Sequence, residues 1–235
     1  MLGVLANTLA VLAGGVIGML CGSRIKSKYT DSLMVALGLA TMGMGVVSTV
    51  GTEDVLCIIV CCALGAVIGE LLHIDDGVNA LGRLAEKKFG SADGNGGTFT
   101  SAFVSCSIMF CIGSMAVMGS VEAGINGDNS ILYAKAVLDL IASLAFGAAL
   151  GAGAAVSAVC VLIVEGGLTL LAGTAAALLN DAAVTEMSAV GGVLLIGLAI
   201  NLLGLRKEQI KIANMLPAIF LAPLYCWADS LTALI

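Results

Sequence analysis

Long apolar stretches follow one another along the chain, separated by short segments in which charged and turn-forming residues gather. Runs near 3–21, 32–50, 55–72, 101–120, 131–149, 152–173, 187–204 and 212–231 each approach the ~20 residues that a helix needs to cross a hydrocarbon core roughly 30 Å thick. None alternates apolar and polar positions as a lipid-facing barrel strand does. Lipid offers backbone groups no partner, so only helices or closed barrels span it, and this pattern selects helices. The chain reads as an all-α, polytopic transmembrane helical bundle of about eight helices, forming a single domain over 1–235.

The segment 73–100 breaks the pattern. HIDDGVNALGRLAEKKF sets Val78, Leu81, Leu84 and Phe89 at roughly helical spacing among charges, which predicts a short helix lying on the cytoplasmic interface. The run GSADGNGG after it predicts a flexible link. There is also internal similarity: GGVIGML at 14–20 recurs as GAVIGEL at 65–71, pointing to repeat units 1–50 and 51–120. A looser echo, GGLTLLAG at 166–173, would run the opposite way, as inverted repeats do in transporters, although Gly-Val-Leu-rich helices also resemble one another by composition alone.

Composition strengthens the membrane reading. The 235 residues are 60% hydrophobic and 11% charged, where a soluble domain is about 25% charged, and the mean hydropathy is +1.10. No soluble fold of this size hides so much apolar surface. The 31 glycines would weaken soluble helices, but in lipid small residues let helix backbones approach closely. The net charge is −6, and the few Lys and Arg form no stripe that could follow a phosphate backbone, so no nucleic acid partner is expected.

The basic residues instead report orientation. Arg24, Lys26 and Lys28 follow the first run, Arg83, Lys87 and Lys88 the third, and Arg206, Lys207 and Lys211 the seventh, all on one side. The other side holds Glu53, Asp54, Glu122, Asp128 and Asp181. The positive-inside rule then places the protein in the cytoplasmic membrane with both termini outside. No cationic segment precedes the first apolar run, which reads as a transmembrane helix and not as a cleaved signal. Cys57, Cys61, Cys62, Cys106, Cys111 and Cys160 lie in apolar runs, where a thiol packs as a small hydrophobe. His73 is the sole histidine and no second Cys/His cluster has zinc-site spacing, so neither a metal centre nor a cofactor is expected.

Three phrases taken together carry a resemblance: ANTLAVLAGGVIG at the start, CIGSMAVMGSVEAGINGDNSILYAKAVLD in the middle, and AVGGVLLIGLAINLLG with IKIANMLPAIFLAP at the end. They resemble an uncharacterised prokaryotic membrane family typified by the YqgA and YdfK proteins. The likeness runs over essentially the whole chain and is most specific in the middle phrase, whose polar spacing hydrophobicity does not dictate. It implies a multi-pass membrane protein, with no assigned mechanism. An acid at Glu165 is not expected from it.

An ionisable group near the bilayer centre costs roughly 3 kcal/mol on insertion scales and asks for a reason. Asp139 and Glu165 stand near the middle of the fifth and sixth predicted crossings, which as antiparallel neighbours could bring two carboxylates together as a proton or cation site. Lys135, one turn before Asp139, could equally make that acid a paired packing element. Asn7, Asn201 and Asn214 either bond a neighbouring helix or face a wet path. Glu70 and Glu186 fall at predicted helix ends, Glu186 suiting the dipole at the start of the seventh helix. Pro217 and Pro223 predict a kinked last helix. The glycine-rich stretches lack the phosphate-loop pattern, which argues against ATP-driven transport.

The expected function is a secondary transporter or channel-like carrier for an ion or small solute, working as a homo-oligomer in the lipid bilayer. The pathway residues would be Asp139, Glu165, Lys135, Asn7, Asn201, Asn214 and Pro217. The alternative is a non-transporting accessory or assembly subunit. An enzyme is not expected, because a carboxylate pair alone makes a thin catalytic constellation.

Overall fold

The computed structural model describes residues 1–22, 27–89, 96–175 and 179–232. Within them the chain forms helices α1 (Leu2–Gly22), α2 (Ser27–Val50), α3 (Val55–Leu71), α4 (Ile74–Phe89), α5 (Gly96–Cys111), α6 (Ser114–Ile125), α7 (Ser130–Leu150), α8 (Ala152–Val156), α9 (Ala158–Ala175), α10 (Asp181–Leu202) and α11 (Pro217–Thr232). A 3-10 turn, Ile212–Met215, leads into α11. Arg24, Lys26 and residues 90–95 of the glycine run, on which the charge and linker expectations partly rest, lie outside the described residues. Six spans are long and apolar enough to cross a bilayer, or up to eight if α3–α4 and α5–α6 each count as one bent span.

Helix directions support counting them. Gly14 of α1 meets Ser143 of α7 and Gly22 meets Ala148, so α1 and α7 run parallel. Gly65 and Gly69 of α3 meet Ala218 and Asn214 in turn, so α3 runs antiparallel to α11, embedded as α11 is. With α3 a crossing, α5–α6 must be one too if α7 is to regain the direction of α1.

Small residues explain which helices pair. Gly14, Gly18 and Gly22 recur every fourth residue on one face of α1, and a Cβ at Gly18 would overlap the Leu144 carbonyl. Close backbone approach of this kind is what holds helices together when lipid is as apolar as their side chains. The α2–α10 pair uses Gly45, whose added Cβ would lie 2.8 Å from the Gly192 carbonyl. By contrast Gly166 and Gly167, in the third echo, have no backbone pressed against them. The centre of the bundle is α10, 67% of whose apolar window is buried, against 22% for α2. Accordingly the largest core cluster gathers Val190, Leu194 and Leu198 of α10 with Cys57 and Cys61 of α3 and Ala218 and Ala222 of α11. All eight cysteines are free thiols.

Three expectations need correction. The run 101–120 is not one straight helix: it bends by 58° at Gly113, whose φ of 135° no other residue adopts comfortably. Pro217 does not kink the last helix; it is the first residue of α11, where its missing N–H costs nothing, and Pro223 alone lies inside. Glu186 does not cap its own helix, since α10 starts at Asp181 with Asn180 as N-cap, accepting from the Ala183 N–H. Its carboxylate instead accepts from Thr52 Oγ1 at 2.6 Å and from the N–H groups of Glu53 and Asp54 at 2.8 and 3.2 Å, holding the turn that opens α3. Glu70 is, as expected, an exposed carboxylate at the end of α3, and there it accepts from Asn214 Nδ2 at 2.5 Å and from Lys211 Nζ at 3.2 Å.

Between α3 and α4 the chain turns through 62° at His73, held at φ 51°. Helix α4 then leaves the direction of the crossing, with Arg83 and Leu84 exposed and Gly82 lying against Thr100 of α5.

Candidate functional site

Three of the apolar helices each bring polar groups to one buried point. Helix α7 offers Lys135 and Asp139, a turn apart on one face; α9 offers Glu165; α1 offers Asn7. Asn7 and Glu165 are fully buried, and Lys135 and Asp139 nearly so. Lys135 Nζ donates to Asp139 Oδ2 and stands 3.5 Å from Glu165 Oε1. Asn7 Nδ2 donates to both acids, at 3.0 Å to Asp139 Oδ2 and 2.8 Å to Glu165 Oε1. Two acceptors on one amide fix which end of the Asn7 side chain faces them, because its oxygen there would be repelled.

The parallel packing of α1 on α7 makes this meeting possible. The glycine face of α1 draws the two backbones together about two to four turns further along, and at the helix starts Asn129 Oδ1 accepts from the Gly3 N–H at 2.8 Å. Between those clamps a short side chain such as Asn7 reaches both acids.

The charges do not balance. One ammonium faces two carboxylates, so with all three ionised the site carries one net negative charge in surroundings that solvate charge poorly. Two of its acceptors, Glu165 Oε2 and Asn7 Oδ1, are buried with no hydrogen-bond partner among the described residues. A proton on Glu165, or a bound cation, would settle both deficits, since a protonated acid donates as well as accepts. Cys111, the last residue of α5, and Gly113 line the same cavity as Val164 and Gly167, which flank Glu165 on α9, so the α5–α6 break adjoins the helix that carries this acid.

The remaining residues singled out from sequence belong elsewhere. Asn201 donates to the Ile210 carbonyl at 2.9 Å and accepts from the Ile210 N–H at 2.8 Å, closing the turn after α10. Asn214 accepts from the Asp75 N–H at 2.7 Å while donating to Glu70, tying α3, α4 and the 3-10 turn together. Beside it the Glu70 carboxylate raises the hold of Lys211 on its proton. Pro217 begins the helix that follows. These groups line or adjoin a polar pocket of about 220 Å³ with Asp75, Asn79 and Ser105, along the middle of α5. Sequence reading missed Gly113 and Cys111; a Gly-Ser pair inside an apolar run is a known kink signal and could have marked the first.

The fold and this buried cluster define a class, a polytopic α-helical membrane protein with ionisable groups inside its bundle. The family model described as "Protein of unknown function (DUF554)" matches residues 2–227, and the chain belongs to that family. The chain is 30% identical over 223 residues to the "Uncharacterized protein YqgA" of Escherichia coli (strain K12), covering 94% of each. It is 29% identical over 227 residues to the "Uncharacterized membrane protein YdfK" of Bacillus subtilis (strain 168), covering 95% of this chain and 94% of the relative. No solved structure matches it.

Proposed function

We propose that the protein is a secondary transporter or channel-like carrier of the cytoplasmic membrane, coupled to a proton or a cation at the cluster of Asn7, Lys135, Asp139 and Glu165. The observation that carries this reading is the uncompensated negative charge together with the unpartnered Glu165 Oε2. A purely structural ion pair would be expected to balance, because a buried unpaired charge costs several kcal/mol. Glu165 takes the proton, Lys135 pairs with Asp139, and Asn7 holds both acids in register. Asn201, Asn214 and Glu70 form the closed mouth at the cytoplasmic side in this scheme. No covalent chemistry is assigned to the site.

Charge movement in proteoliposomes on a solid-supported membrane tests it, with ions and small solutes screened across a pH step. A current in the wild type that Asp139→Asn abolishes is the expected result. No current from folded protein, with another membrane protein co-purifying in fixed ratio, would sink the transporter reading in favour of an accessory subunit.

A further inference from the structure

A cavity of about 460 Å³ lies beside the α5–α6 break, walled by six helices and including Ser107, Cys111, Gly113, Cys160, Gly167 and Phe220. We propose that this cavity binds a lipophilic organic cation, a solute with an apolar body and one positive charge, and that the solute competes with a proton at the neighbouring acid cluster. The proposal rests on reading that cluster as the coupling centre and adds the class of solute.

Size and lining come first. The volume falls in the range of about 300–1,000 Å³ that takes a drug-sized ligand. Its walls are apolar apart from two serines and two thiols, so a sugar or other hydroxyl-rich solute would lose hydrogen bonds that the cavity cannot replace.

Charge selects the sign. Val164 and Gly167, which flank Glu165 on α9, belong to the cavity wall together with Cys111, so a solute seated there lies beside the stretch of helix that carries the acid. With all three of its groups ionised, that cluster has one negative charge in excess, and Glu165 carries a fully buried oxygen with no partner among the described residues. Each of these features attracts a cation and repels an anion.

A proton on Glu165 and a cation beside it answer the same deficit, so each weakens the other. The groups facing Glu165 are Lys135 and Asp139 from α7 and the uncharged Asn7 from α1, while α5 brings Cys111 to the cavity wall. Helix α6, also packed on α9, carries only Glu122, which accepts from Asn126 at its exposed end; α8 carries no ionisable residue.

The test is calorimetric titration of the full-length, detergent-purified protein with tetraphenylphosphonium, against empty micelles, at several pH values and in two buffers of different ionisation heat. Wild type should bind saturably, release close to one proton per cation, and weaken up to about tenfold for each unit fall in pH, as linkage to one proton requires. Glu165→Gln should lose the proton release and the pH dependence. Gly167→Leu should bind at least tenfold more weakly, because a Cβ there meets nothing within 4 Å and a leucine can grow into the cavity. Equal binding by wild type and Gly167→Leu, or binding without proton release, overturns the proposal. A pH-step current that needs Asp139, with no tetraphenylphosphonium bound, overturns this inference and leaves the proposed function standing. Absence of that current overturns the proposed function itself.

Discussion

Lys135 is the residue on which the buried cluster depends. Replacing it by methionine would keep much of its packing but leave two carboxylates and no counter-charge. Breaking a buried pair by removing one partner costs about 3–5 kcal/mol, and Lys135→Met should show a loss of that order in denaturant unfolding in micelles. Adding Asp139→Asn and Glu165→Gln should return most of the stability, because neutral groups in the same shape need no counter-ion, yet charge movement should stay absent. If the triple variant is no more stable than Lys135→Met, charge imbalance is not what the lysine relieves. Glu186 makes a second residue-scale case. Glu186→Ala removes the acceptor of Thr52 and of the Glu53 N–H, while the Asp54 N–H keeps Thr52 Oγ1, and hydrogen bonds to a charged acceptor contribute about 1.5–3 kcal/mol. The lost stability should come with faster proteolysis or hydrogen exchange at 51–54.

Among helices, close approach decides which glycines are tolerant. Gly18→Ala forces a methyl into the α7 backbone, where overpacking typically costs about 1–3 kcal/mol. Gly43→Ala meets nothing within 4 Å and should be neutral or slightly stabilising, since alanine is the better helix former. Melting temperatures of the two variants, measured by fluorescence-detected size exclusion, should therefore separate. The sequence reads both positions alike, as glycine in an apolar helix. Only the partner helix distinguishes them. The same holds for the break in α5–α6: a left-handed glycine there is compatible with the sequence but not demanded by it.

At the scale of the whole molecule, helix directions and the distribution of basic residues predict one orientation. Single cysteines at Lys207 and Asp128, introduced into a background without the native thiols, should be labelled from the cytoplasmic and external sides respectively. The reverse labelling would place both termini inside and move the cluster, near the starts of α1 and α7, to the cytoplasmic half.

How much was legible before the structure follows from what each signal depends on. Hydropathy, span length and charge asymmetry are local sums over the chain, so the class, the number of apolar runs and the membrane environment could be read directly. Asp139 and Glu165 stood out for the same reason, as ionisable groups where insertion is costly. Asn7 also stood out, but as one of three similar asparagines. Its place between the two acids, and the removal of Asn201, Asn214 and Pro217 to a different end of the bundle, depended on which helices pack side by side. That choice is made by glycine faces meeting across helices far apart in sequence, with α1 against α7 and α3 against α11. The cavity beside Gly113 belongs with these, because a space between six helices has no counterpart in any one of them. The sequence by itself determined that the chain lives in lipid as helices and which charges it carries there. Tertiary packing decided which of those charges meet, because pairing energies between helices in lipid come from small-residue contacts that no single segment encodes.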